Sequence, residues 1–266
     1  ASEATEVRLA YDANRLVIGV TCLDSEPTRL FANQMQRDQG LASDDRFMVS
    51  LDTYSDGRTG YYFEINPAGA MGDGLIVPGT GITINRAWDG IWNARVVRDE
   101  RGWTAEIEIP FRTLSFDPHA PSWGINFQRT VRRKNEDSVW MGWARNQGLN
   151  RLTNAGRVTG LTQVSQGHGL DVKPYGLLAG GSAPGRGSDR ATYDRQAGVD
   201  VFYSPTPRLR ANLTVNTDFA QTEVDQRQVN LTRFSLFFPE KRDFFLDGAT
   251  FFDFGSVSTT TSLSGS

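Results

Sequence analysis

The chain has 266 residues, 28 Lys+Arg against 31 Asp+Glu for a formal net charge of -3, one Cys and two His. That length allows one large domain or two ordinary ones, the near-neutral balance gives no basic face for nucleic acid, and a single Cys excludes an intrachain disulfide framework or a cysteine-rich zinc site. No apolar run approaches the roughly 18 residues of a membrane helix, and 27 Gly with 16 Phe, 7 Tyr and 6 Trp point to an all-β chain.

The elements follow in chain order. Val7, Leu9 and Tyr11 alternate, Asp12-Ala13-Asn14 turns, and Leu16 to Leu23 returns as a near-continuous apolar strand, which predicts a hairpin whose second strand is covered on both faces. Phe47, Val49 and Leu51 alternate up to the turn at Tyr54-Ser55-Asp56-Gly57. Tyr61, Phe63 and Ile65 alternate up to the turn at Asn66-Pro67-Ala68-Gly69. Trp92, Ala94 and Val96 form a strand, and Asp99 to Gly102 turns it into Trp103, Ala105, Ile107 and Ile109. Pro110 to Phe116 reads as a single helical turn or loop. Trp123 to Val131 is another strand, and Val139, Met141 and Trp143 a further one. Strands at intervals of roughly 10–15 residues, without helices between them, mean an antiparallel β-sandwich.

From about Gly169 the texture changes. Val172 to Leu178 is one strand, and Ala197, Val199, Val201 and Tyr203 mark the apolar side of a second. Leu209, Ala211, Leu213, Val215 and Thr217 face one way while Arg210, Asn212, Thr214, Asn216 and Asp218 face the other. That two-residue period over about ten residues suits a strand of a membrane barrel; a polar-faced edge of a soluble sandwich fits it too.

Few residues could carry chemistry. Glu106 and Glu108 project from one strand face about 6.7 Å apart, as paired acids of a glycosidase or as a solvated face. Asp44, Asp45 and Asp52 bracket the strand Phe47 to Leu51 and could give oxygen ligands to calcium or serve as turn carboxylates. Trp88 with Trp92, and Trp140 with Trp143, could stack on sugar rings or fill a core. Cys22 lies on the most apolar strand. His119 and His168 are too far apart for a joint site, so no transition-metal or organic cofactor is called for.

Several stretches resemble one family. They are Ser43-Asp44-Asp45-Arg46-Phe47 through Leu51-Asp52-Thr53-Tyr54, Arg58-Thr59-Gly60-Tyr61, Asn66-Pro67-Ala68-Gly69, Gly102 to Phe111, and Trp123-Gly124-Ile125-Asn126-Phe127 followed by Arg132-Arg133-Lys134-Asn135-Glu136. Together they are similar to the family 9-like carbohydrate-binding module that precedes an uncharacterised outer-membrane β-barrel in many Gram-negative bacteria. Thr214 to Phe219, Val229 to Thr232 and Phe237 to Gly248 resemble the opening of that barrel.

The resemblance implies a jelly-roll-like β-sandwich over residues 1–165, placed in the periplasm. Residues 166–266 would be the first strands of an incomplete up-and-down barrel in the outer membrane, continuing past Ser266. It implies glycan and outer-membrane lipid as partners, and taken with the aromatic pairs it makes Trp88, Trp92, Gln128 and Trp140 the candidate ligand contacts. The two tryptophans with which the family clamps sugar fall near Ala42 and Leu149, and Gln128 is the polar contact that survives. The chain opens at Ala1 rather than Met, as expected of an interior piece or a processed protein. A non-enzymatic binding role leads; a glycoside hydrolase or its accessory module, and a structural plug for a transport barrel, are the alternatives.

Overall fold

The structure, a computed structural model, describes residues 1–78, 82–86, 88–117, 120–142, 148–165, 170–181, 192–206 and 209–216. His119, His168, Trp143 and the barrel-like stretches Val229 to Thr232 and Phe237 to Gly248 lie outside the described residues. The described part is all-β with antiparallel sheets, in two compact units, residues 1–165 and residues 170–216.

In chain order the first unit carries β1 (Thr5–Tyr11), β2 (Arg15–Leu23), β3 (Arg46–Asp52), β4 (Gly60–Ile65), β5 (Met71–Pro78), β6 (Ile82–Asn85), β7 (Asn93–Asp99), β8 (Gly102–Pro110), β9 (Ser122–Val131), β10 (Glu136–Val139) and β11 (Gly156–Thr159). One sheet has the order β1-β2-β8-β7. The larger one runs β10-β9-β3-β4-β5-β6, with β11 sharing the outer edge of β9. The expected helical turn after Pro110 is one 3-10 turn, Phe111–Thr113. Neither β5 nor β6 was expected, and β11 was not either: Gly72 and Gly74 interrupt the apolar alternation on β5, and the other two are only four residues long.

The core lies between the sheets. Leu16, Ile18, Val20 and Cys22 of β2 and Trp103, Ala105, Ile107 and Ile109 of β8 meet Phe47, Val49 and Leu51, Phe63 and Ile65, and Trp123, Ile125 and Phe127. These are the alternate residues of each strand, as a period of two requires. The far side of β2, with Val17, Gly19 and Thr21, is half-exposed, so β2 is not covered on both faces as its sequence suggests. The doubly covered strands are β3, β4 and β9. On their outer side Met48 and Tyr62 form a second apolar cluster with Ile76, Leu149 and Leu152, because the chain at 148–154 folds back over the sheet.

A buried charge network closes one end. Arg133 reaches Glu3 (2.6 Å) and Asp24 (2.9 Å), and Arg129 donates to the Ala4 carbonyl (3.0 Å). Burial alone would raise the Glu3 carboxyl, but hydrogen bonds from Lys134, Ser25 and Arg133 bring it down to about 2.

The second unit is a three-stranded antiparallel meander, β12 (Leu170–Gly181), β13 (Thr192–Thr206) and β14 (Leu209–Val215), curled as part of an incomplete barrel. Its register aligns Leu170, Val172 and Pro174 with Tyr203, Val201 and Val199, and these with Ala211, Leu213 and Val215. These rows make one face apolar, with Arg195 opposite Leu178 beyond them, and it is the more exposed one: Leu178 is 71% and Leu213 63% accessible. The other face aligns Lys173 with Asp200 and Thr214, and Tyr175 with Gly198. Lys173, Tyr175, Asp200 and Asn212 on it are only half-exposed. Tyr175 packs over Gly198, where a Cβ would overlap its ring, and its hydroxyl donates to the Asn216 carbonyl.

Candidate ligand-binding face

The outer side of the larger sheet carries an organised polar group. The register sets Gln128, Met48, Glu64 and Gly72 in one row across β9, β3, β4 and β5. Arg46 sits diagonally next to Glu64, and Arg86 directly follows β6. The Glu64 side chain is fully buried and accepts from three donors: Arg46 Nη1 (2.9 Å), Tyr62 Oη (2.8 Å) and Arg86 Nη1 (2.6 Å).

Gly72 makes the arrangement possible. A Cβ there would stand 3.1 Å from Glu64 Oε1 and 3.4 Å from Arg86 Nη1. Arg86 also lies over the Tyr62 ring, 5.4 Å from its centroid. Burial alone would lower the Arg86 guanidinium, but its hydrogen bond to Glu64 and that carboxylate's charge carry it upward. Burial, then the Glu64 charge, pushes the Tyr62 phenol well above its usual range.

Donors exceed acceptors here. Two guanidiniums, each with five N–H groups, share one carboxylate, and Arg46 Nε is buried without a hydrogen-bond partner. Beside this polar floor the segment 148–154 makes an apolar shoulder: Ser50 Oγ donates to the Leu149 carbonyl (3.2 Å), and Leu149 and Leu152 pack on Met48 and Tyr62. The face can offer the surplus donors of Arg86, fixed by the buried Glu64, together with the half-buried amide of Gln128.

The residues proposed from sequence scatter. Gln128 lies half-buried on this face, next to Met48. Trp88 and Trp92 do not form a platform: they are 9% and 6% exposed, packed on Tyr61 and Phe63 in the core. The Trp92 indole N–H donates to Asp73 Oδ2 (2.6 Å). Trp140 is 54% exposed, its ring tilted against Phe127 and laid over Gly156. Phe127 belongs to the inner side of β9, so Trp140 stands at the sandwich edge, not on the face of Gln128. Leu149, at a clamp position of the resembled family, is a buried packing residue, and Ala42 is exposed.

The carboxylates proposed for calcium are each engaged in tying a loop. Asp44 Oδ2 accepts from the backbone N–H groups of Asn33 and Gln34 and from Asn66 Nδ2. Asp45 accepts from Phe31 and Arg132 N–H, and Asp52 from Asp56 and Gly57 N–H. They hold separate loops instead of converging on one point, and among the described residues no group of three or more His, Cys, Asp or Glu could hold a metal ion. Burial raises Asp45 and Asp52; at Asp44 burial also acts upward, but the N–H donors win and lower it.

Glu106 and Glu108 lie on the outer side of the smaller sheet. Glu106 is opposite Arg95, and Glu108 is bridged by Arg15 (2.9 Å). The Arg46–Glu64–Arg86 group was missed because its members are 18 and 22 residues apart. The available signal was the polar phase of β4, where Tyr62 and Glu64 alternate with the core residues.

Residues 154–258, less than half of the chain, match a family described as a domain of unknown function, DUF5916. No curated protein matches the chain. Among solved structures, a protein described as a carbohydrate binder from Bacteroides uniformis ATCC 8492 is 12% identical, over 59% of this chain and 78% of that one, with a TM-score of 0.48. A carbohydrate binding module of family 9 from Caldicellulosiruptor kristjanssonii, in complex with cellotriose, is 14% identical over 60% and 75%, with a TM-score of 0.43. The same organism's module in complex with glucose is 15% identical over 60% and 77%, with a TM-score of 0.44.

Proposed function

We propose that this chain is a non-enzymatic, outer-membrane-associated protein whose periplasmic β-sandwich binds carbohydrate on the outer face of its larger sheet. The observation that carries the sugar reading is the Arg46–Glu64–Arg86 group. Burying such a triad costs desolvation that its attraction about repays, so stability alone gives no reason to keep it. A sugar hydroxyl both donates and accepts, and it needs charged partners fixed in advance. The buried Glu64 fixes the guanidiniums from beneath, the partly exposed Arg86 supplies surplus donors, and Gln128 supplies an amide that both donates and accepts.

The membrane reading rests on the inverted polarity of the meander, with apolar side chains outward and polar ones on the more covered face. In water that order is unfavourable; against lipid it is what a barrel strand requires. With 12 and 15 residues, β12 and β13 exceed the roughly 9–11 that cross a bilayer.

Calorimetric titration of the chain in detergent against a panel of oligosaccharides tests the first part. Heat of binding with at least one glycan, lost in Glu64→Gln and Arg86→Gln, is the expected result. No heat with any glycan, or unchanged heat in both variants, overturns it. Flotation with lipid vesicles tests the second: the chain should float, and Leu178→Asp with Leu213→Asp should not.

A further inference from the structure

Residue 73 is the next one along β5 from Gly72, and its side chain is on the opposite, inner side of the sheet. There Asp73, with a fully buried side chain, joins two excursions of the chain. Its Oδ2 accepts from Trp92 Nε1 (2.6 Å) and Arg37 Nη2 (2.6 Å), and its Oδ1 from the Gly90 N–H (3.3 Å). Arg37 Nη2 also donates to the Gly90 carbonyl (2.7 Å) and to Asp89 (3.0 Å), and its guanidinium lies 5.8 Å from the Trp92 ring centroid. Gly90 is thus held through both its N–H and its carbonyl. It has no Cβ, because the Trp88 ring occupies that place.

Arg86 donates to Glu64 on the ligand-binding face; Gly90, four residues on in the chain, is gripped behind the sheet by Arg37 and Asp73. We infer that the Arg37–Asp73 pair positions Arg86: it fixes residues 88–92, which follow Arg86 closely in the chain, from behind, and its grip depends on the charge of Asp73. The inference rests on the proposed ligand-binding face.

The charges around Asp73 come from both excursions, Arg37 and Asp38 from one and Asp89 from the other; Glu64 and Arg86 are on the far side of the sheet. Arg37 also pairs with Asp38 (3.3 Å). Burial, against the hydrogen bond from Trp92 and the charge of Arg37, raises the Asp73 carboxyl to about 6, and Asp38 and Asp89 add to the rise. Protonation relieves the buried charge and removes the charge-assisted part of the bond to Arg37. Trp88 then stays in the core, while Arg37, which holds the Gly90 carbonyl at 2.7 Å, loses its charged anchor.

The test needs no glycan, so its failure is separate from a failure of the sugar reading. In the full, nitrogen-15-labelled chain, the Trp92 indole N–H and the Arg86 Nε–H resonances are followed from pH 7.5 to 4.5. Both should shift with one midpoint near 6, and Asp73→Asn should abolish that transition in both. Arg37→Gln alters a half-exposed residue and serves if Asp73→Asn does not fold: Trp92 should still titrate, while Arg86 holds its low-pH position throughout. An Arg86 signal that ignores the Trp92 transition, or that keeps it in Asp73→Asn, overturns the inference.

Discussion

Replacing Glu64 by Gln removes one charge and keeps the shape, so its cost can be worked bond by bond. Arg46 is 18% exposed at its side chain and loses a carboxylate partner at 2.9 Å; a hydrogen bond to a charged group is worth about 1.5–3 kcal/mol. Arg86 is 36% exposed, so its pair is discounted to the surface value of about 0–1 kcal/mol. The amide oxygen still accepts from Tyr62. The sum is about 1.5–4 kcal/mol. Urea unfolding read by tryptophan fluorescence reports it, because Trp103 and Trp123 are in the sandwich core. With a slope of about 1–3 kcal/mol/M, the midpoint should fall by on the order of 1 M at unchanged slope. Arg46→Gln should cost more than Arg86→Gln, following their exposure. An unmoved midpoint in Glu64→Gln, or the reverse order of the arginines, would show that the group is a solvated surface cluster and not a pre-fixed site.

Three further outcomes follow from the sandwich. Trp103→Ala should cost about 3–5 kcal/mol as a large aromatic lost from a core, but Trp103→Phe much less, since the buried Trp103 Nε1 has no hydrogen-bond partner to lose; equal losses in thermal unfolding would refute the packing account. Gly102 has φ +138 and a Cβ would overlap the Cys22 carbonyl oxygen, so Gly102→Ala should cost at least the roughly 1–3 kcal/mol of a strained backbone, and a melting temperature within a degree of the parent would refute it. Glu3 and Asp73 have opposite linkage. The Glu3 carboxyl is lowered from 4.5 to about 2, so its contribution is full above pH 4.5 and disappears as pH falls through 2. The Asp73 carboxyl is raised to about 6, so its burial weakens the fold above that pH and the loss is relieved as pH falls from 6 towards 3.8. Stability measured against pH should show the acid loss shrink in Glu3→Gln and the fall between pH 4 and 6 flatten in Asp73→Asn; unchanged profiles in both would refute the assignment.

The sequence by itself determined the strands whose apolar residues alternate. Trp103, Ala105, Ile107 and Ile109, or Phe47, Val49 and Leu51, take the core side because a period of two leaves them no other common face. It determined the turns too, since Asn66 can accept from the Ala68 and Ala70 N–H groups within its own loop. The dyad from Leu209 to Val215 was legible for the same reason.

What only the tertiary structure decided is which side of a strand meets what. Trp88 and Trp92 are chemically suited to a sugar platform or a core, and the packing of Tyr61 and Phe63 settled the choice. Asp44, Asp45 and Asp52 could serve an ion or a loop, and N–H donors from residues as distant as Arg132 made them loop ties. Arg46, Glu64 and Arg86 have no local pattern to join them. They meet because the register of β3, β4, β5 and β6 sets their strands side by side, with a glycine at 72 where any side chain would crowd them. Alternation is local and can be read along the chain; register and the return of a distant loop depend on pairings between residues far apart in it.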